Sequence, residues 1–175
     1  MSNYRRLTSS TGLYYFHARL SDPSEDLLVR HVSHLRTCVR MTRQTLPFDV
    51  VEAVVLPSEM HMIWRLHGAD QDYSGRWRML KSLFSRHLPA PKDLSPQQKA
   101  RGEKGIWQRR FWEHCIRDQS DLIAHRDFMW RSPVACGLVA RPTDWEHSSI
   151  HRAMAQGMTG SDWDRTRFGA VARAG

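Results

Sequence analysis

Cysteine is scarce in this chain, and its three copies, Cys38, Cys115 and Cys136, are scattered and odd in number. That pattern excludes a disulfide framework and a CxxC zinc knuckle, and free thiols are expected. No segment approaches the roughly 18 uninterrupted apolar residues of a membrane span, and no lysine-rich amphipathic stretch stands out, so no membrane partner is expected. The opening MSNYRRLTSSTG lacks an apolar signal core, which points to the cytoplasm. Tyrosine is also rare: Tyr4, Tyr14, Tyr15 and Tyr73 are all there are. Acidic side chains are in deficit, with 18 Asp and Glu against 26 Lys and Arg, a net charge of +8. Such a surplus favours a polyanionic partner, nucleic acid first.

What is present is enough for one core. At 175 residues and 41% hydrophobic, the chain reads as a single domain over residues 1–160, with a basic flexible loop at 89–105 and a mobile tail at 161–175. LYYFHARL is β-rich and is stopped by SDPSED. Leu28, Val32, Leu35 and Val39 then recur at helical spacing, predicting a helix from about 25 to 44. VVEAVVL and MHMIWRL form a predicted hairpin around Pro57 and Ser58. Ser74 is placed to cap GRWRMLKSLFSRHL, with Trp77, Leu80 and Phe84 inward and Arg76, Lys81 and Arg86 outward. WQRRFWEHCIR suits a strand, and Ser120 opens a helix that Pro133 is expected to terminate. The order strand, helix, strand, strand, helix, strand is the split βαβ pattern of a ferredoxin-like α+β fold, with an additional C-terminal helix. It puts the first and third strands at the sheet centre. In LPSEMHMIW, Glu59 and His61 stand two apart on the third strand and so share a face.

The landmarks NYRR, LPSEMHMIW, RWRMLKSLFSR, GIWQRRFWEHCIRD and DFMWRSPVACGLVARPTDWEHSS span nearly the whole chain. Together they resemble the REP-associated tyrosine transposases, single-tyrosine HUH enzymes linked to repetitive extragenic palindromes. The resemblance implies a ferredoxin-like core and recognition of hairpin or single-stranded DNA of palindromic repeats, close to the nucleoid. It also implies cutting and rejoining of strands with Mg2+ or Mn2+, by a protein that is a homodimer or a monomer. Family members carry two histidines flanking one apolar residue as metal ligands, a nucleophilic tyrosine on a late helix, and a polar ligand four residues after it. Here those positions are occupied by Glu59 and His61, by Phe128, and by Ser132. A carboxylate is a competent ligand for Mg2+ or Mn2+. Phenylalanine has no hydroxyl and forms no phosphodiester with DNA. The expectation is therefore a binding scaffold whose metal site, His61, Glu59 and Ser132, has an empty catalytic position at Phe128.

Candidate DNA contacts are Arg5 and Arg6 in an N-terminal arm, Arg76, Lys81 and Arg86 on the second long helix, and Trp107, Arg109, Arg110 and Trp112 around the last strand. Two alternatives stay open. One is an active transposase or metal-dependent single-strand nuclease using another nucleophile, such as Tyr14, Tyr15 or a metal-activated water. The other is a non-catalytic protein-interaction remnant whose basic surface serves solubility. His114 is either a hydrogen-bonded core histidine or a neighbour of the metal.

Overall fold

The computed structural model describes residues 11–158 apart from 69, 92 and 93; Arg5, Arg6 and the 161–175 tail lie outside the described residues. Four strands, β1 (Leu13–Arg19), β2 (Asp49–Val55), β3 (Glu59–Arg65) and β4 (Trp112–Cys115), form one sheet in the order β2-β3-β1-β4. All three pairings are antiparallel, and β1 and β3 are central, which is the ferredoxin-like arrangement expected from the element order. Between β1 and β2 lie α1 (Leu27–Arg30) and α2 (Val32–Thr45), so the single predicted helix is interrupted at His31. α3 (Tyr73–Ser85) and α4 (Pro96–Ala100) precede β4, and α5 (Gln119–Ala135), a short 3-10 turn at Pro142–Asp144 and α6 (Ile150–Ala155) follow it.

Strand alternation sorts the side chains into two cores. Tyr14, Phe16 and Ala18 of β1, with Met60, Met62 and Trp64 of β3, pack under α2 and α3 against Leu35, Trp77, Leu80 and Phe84. The odd-numbered residues point the other way, where Leu13, Tyr15 and Ile63 meet Leu122, Met129 and Trp130 of α5. Both sheet faces are therefore covered. The register pairs His17 with His61 and Arg19 with Glu59 on this second face, at the end of the sheet beyond the apolar contacts.

Several local expectations are corrected. Asp72, not Ser74, caps α3, accepting from the Gly75 N–H at 3.1 Å. Arg76 does not face outward: it is 2% exposed and donates to Asp70, to the Asp72 carbonyl and to the Pro47 carbonyl. The reason is the width of the buried stripe, which takes in Tyr73, Arg76, Trp77 and Leu80, since positions four apart share a helix face. The 89–105 segment contains α4, held by a capping box between Ser95 and Gln98. Beyond it, Lys104 donates to the carbonyls of Ser85, Arg86 and Leu88, satisfying the C-terminal end of α3.

Pro133 does not terminate its helix, because α5 runs on to Ala135. A proline at 133 has no N–H to give the Met129 carbonyl four residues earlier. The Ser132 hydroxyl donates to that carbonyl instead, at 2.7 Å.

Candidate metal and DNA site

On the α5 face of the sheet, His17, Glu59 and His61 bring one ligand atom each to within 4.8 Å of one another. Glu59 and His61 come together through the two-residue repeat of β3, and His17 arrives from β1 across the antiparallel register. His17 was not singled out from the sequence; its place depends on the strand pairing, and only a commitment to the register of β1 against β3 would have found it. The His17 and His61 rings stack with centroids 4.3 Å apart.

The Glu59 carboxylate is held by His17 Nε2 at 3.0 Å and Arg19 Nε at 3.1 Å, both on Oε2. The hydrogen bond from His17, aided by the charges around it, keeps the carboxyl below its ordinary range despite partial burial. His61 is 2% exposed, and burial pushes its imidazole down to about 3, so the ring is neutral at physiological pH. Its Nδ1 is bonded to Tyr15 Oη at 2.7 Å, whereas Nε2 is buried with no hydrogen-bond partner and lies 3.9 Å from Glu59 Oε1. A neutral imidazole whose Nδ1–H donates to the phenol oxygen leaves a lone pair on Nε2, the donor a metal ion requires. The residues present therefore fit a divalent cation.

Ser132 is buried, and its hydroxyl donates to the Met129 carbonyl of its own helix. Phe128 lies beside the cluster, with its ring centroid 5.6 Å from that of His61 and 6.4 Å from that of Tyr15. Its ring is 53% exposed at the mouth of a cleft of about 770 Å³ that Tyr15, His17, Arg19, Arg110, Trp112 and His125 also line. Tyr15 is the one hydroxyl-bearing aromatic beside the cluster among the described residues. It is buried, its oxygen is bonded to His61, and desolvation raises its pKa far above the ordinary tyrosine value. Those properties make it a support for the imidazole and a poor nucleophile.

A second cluster adjoins the first. His114 Nε2 and His125 Nδ1 lie 2.9 and 3.0 Å from the Asp121 carboxylate, with their rings stacked at 4.5 Å. Arg117 also donates to Asp121, from both its side chain and its backbone. Desolvation opposes the Asp121 charge, but the hydrogen bonds from His114 and Arg117 hold the carboxyl well below the usual range. His114 is thus a partnered histidine in this cluster, apart from the His17–Glu59–His61 group.

Of the predicted DNA contacts, Lys81, Arg86, Trp107, Arg109, Arg110 and Trp112 divide between two clefts, whereas Arg76 is buried. Consecutive residues of an extended chain point to opposite sides, and Arg110 and Trp112 line the cleft beside the metal cluster. Arg109 and Trp107 line another, of about 810 Å³, with Lys81, Arg86, Arg78 and Arg101. Trp112 is 55% exposed, with one face stacked on His114 and an edge contact to Tyr15; Trp107 is half-buried, packed edge-on to Phe84 and beneath the Lys81 ammonium. Lys81 donates to the Gln108 carbonyl at 2.8 Å, and burial pushes its pKa down to about 8.

No protein-family model matches the chain. It is 37% identical over 175 residues to the REP-associated tyrosine transposase of Escherichia coli, covering 99% of this chain and 98% of that protein. It is also 37% identical over 164 residues to a Haemophilus influenzae protein assigned to the same transposases, covering 93% of each. Among solved structures, a REP-associated tyrosine transposase bound to a REP hairpin superposes with a TM-score of 0.78 at 37% identity, covering 99% of both chains. With that identity over nearly its full length, and the same fold, the chain belongs to the family of REP-associated tyrosine transposases.

Proposed function

We propose that this chain binds hairpin or single-stranded DNA of palindromic repeats in the cytoplasm, at the nucleoid, and has lost tyrosine-based strand transfer. The observation that carries the reading is the position of Phe128: its ring packs against His61 beside the candidate metal cluster, at the position to which the family resemblance assigns the nucleophilic tyrosine. A benzyl group there cannot attack phosphorus. It presents an apolar face, and with Trp112, Arg110 and Arg19 lining the same cleft, it suits an unpaired base whose phosphates meet the cations. The arginines of the second cleft supply charge for a duplex stem. Glu59 and His61 would hold a divalent ion, Mg2+ or Mn2+ in the family's usage, which when bound polarises phosphate oxygens. The chain's own residues do the remaining work of gripping and orienting the strand.

The test is an incubation of labelled hairpin and single-stranded DNA with Mn2+, resolved on native and denaturing gels. The parent protein is expected to shift the hairpin and leave the strand intact, with no covalent protein–DNA band. Glu59→His/Phe128→Tyr/Ser132→Asn is expected to gain both cleavage and the covalent band. A covalent adduct formed by the parent protein would overturn the loss of strand transfer, and absence of any shift would overturn the DNA-binding reading.

A further inference from the structure

We infer that this chain has rebuilt its metal centre, taking the third protein ligand from β1 as His17 and thereby favouring a transition-metal ion such as Mn2+, Co2+ or Zn2+ over Mg2+. The inference deepens the reading of a divalent ion beside the DNA cleft, and its geometry is that of His17, Glu59 and His61. Ligands about 2.1 Å from one ion stand about 3 Å apart at right angles and about 4.2 Å apart when opposed. The separations of 3.0 Å from His17 Nε2 to Glu59 Oε2, and 3.9 Å from His61 Nε2 to Glu59 Oε1, lie inside that range. An independent sign is the buried, unpartnered Nε2 of His61, an atom that ought to have a partner in a folded protein.

Each ligand has the support a metal site requires. The Tyr15 hydroxyl fixes the His61 ring through Nδ1, the outer-shell contact that sets tautomer and orientation. His17 Nε2 faces Glu59 Oε2 at 3.0 Å, and in the neutral tautomer that carries its proton on Nδ1 it offers a lone pair toward the same ion. Arg19 touches the same Glu59 oxygen but is largely exposed, so its guanidinium has solvent to turn into. By contrast the hydroxyl of Ser132, the position to which the family resemblance assigns a ligand, donates to the Met129 carbonyl. Two imidazoles and one carboxylate are a borderline donor set suited to manganese, iron, cobalt, nickel or zinc, whereas magnesium prefers oxygen ligands and retained water.

The neighbouring His114–Asp121–His125 group has the same composition and serves as the internal control. Its carboxylate receives two hydrogen bonds from Arg117, His125 Nδ1 is also within 2.9 Å of the Asp121 backbone carbonyl, and neither imidazole has the buried, unpartnered nitrogen that marks His61.

Titration of chelator-stripped protein with Co2+, followed by its visible absorption, and with Mn2+, followed by loss of the free-ion EPR signal, tests the assignment without DNA. The expected result is a single ion per chain that equimolar Mg2+ does not displace. His17→Ala and His17→Gln should each weaken binding by at least about tenfold, while Ser132→Ala and His114→Ala leave it unchanged. Thermal melts check that each variant is folded, and His17→Gln retains a hydrogen-bond donor toward Glu59. Wild-type affinity in both His17 variants, loss of binding in His114→Ala, displacement by equimolar Mg2+, or no binding at all would each overturn the inference. Hairpin binding measured in chelator reports separately on the DNA reading, so the two can fail independently.

Discussion

Lys81 joins burial, charge and DNA in a single side chain. Its ammonium lies 5.6 Å from the Trp107 ring centroid and 5.5 Å from that of Phe111, donates to the Gln108 carbonyl, and faces the basic cleft. Desolvation lowers its pKa to about 8, so the cation present at neutral pH is lost as the pH rises through 8. Hairpin affinity is therefore expected to decline between pH 7 and 9, by at most about tenfold per pH unit from this one proton. Stability moves the opposite way: between pH 8 and the unfolded-state value near 10.4 the unfolded chain holds the proton that the folded chain has released, so folding is favoured as pH rises. The opposed signs separate lost binding from lost structure. Fluorescence anisotropy across this range, beside Lys81→Arg, checks the prediction, because arginine stays charged and should flatten the profile. An unchanged profile in Lys81→Arg would assign the pH dependence to another group.

At the level of elements, α3 illustrates what the sequence pattern conveys and what it hides. Its apolar positions Trp77, Leu80 and Phe84 were legible from spacing, and all three are buried. Arg76 was misplaced because a charge on a helix is read as solvated, although its position four before Leu80 puts it on the inner stripe. There it bonds the Pro47 carbonyl and Asp70, tying the start of α3 to the chain entering β2. Arg76→Met is expected to cost about 1–3 kcal/mol of stability by urea denaturation, less than a fully buried pair because Asp70 is more than half exposed. Its hairpin binding, measured on folded protein, should change little. The strand order was legible because β-α-β-β-α-β admits few sheet orders. Helix ends were not: Pro133 reads as a stop only until the Ser132 hydroxyl is seen to replace the missing N–H, a compensation between neighbours that periodicity does not carry. The same contact commits the Ser132 hydroxyl proton to its own helix. His17 was hidden for another reason, since its meaning lies in a partner 44 residues away across the sheet.

For the whole molecule, a net charge of +8 is a statement about partners, and the fold decides where that charge acts. Lys104 is used internally by the end of α3. Arg78, Arg86, Arg101 and Arg109 stay exposed around the second cleft, while the stacking faces Trp112 and Phe128 sit at the first. Phosphate contacts and base contacts should therefore separate in their response to salt. Four phosphates neutralised would give a slope of log affinity on log salt of about −3.6, and Arg109→Ala should make it shallower by about 1. Trp112→Ala should instead weaken single-strand binding by about 1–3 kcal/mol at every salt concentration, with the slope intact, because stacking releases no counterions. Anisotropy titrations over a range of salt concentrations with both variants check this. Equal slopes for Arg109→Ala and the parent would remove the second cleft from the phosphate path, and a shallower slope for Trp112→Ala would mean its cleft holds the backbone and not the base.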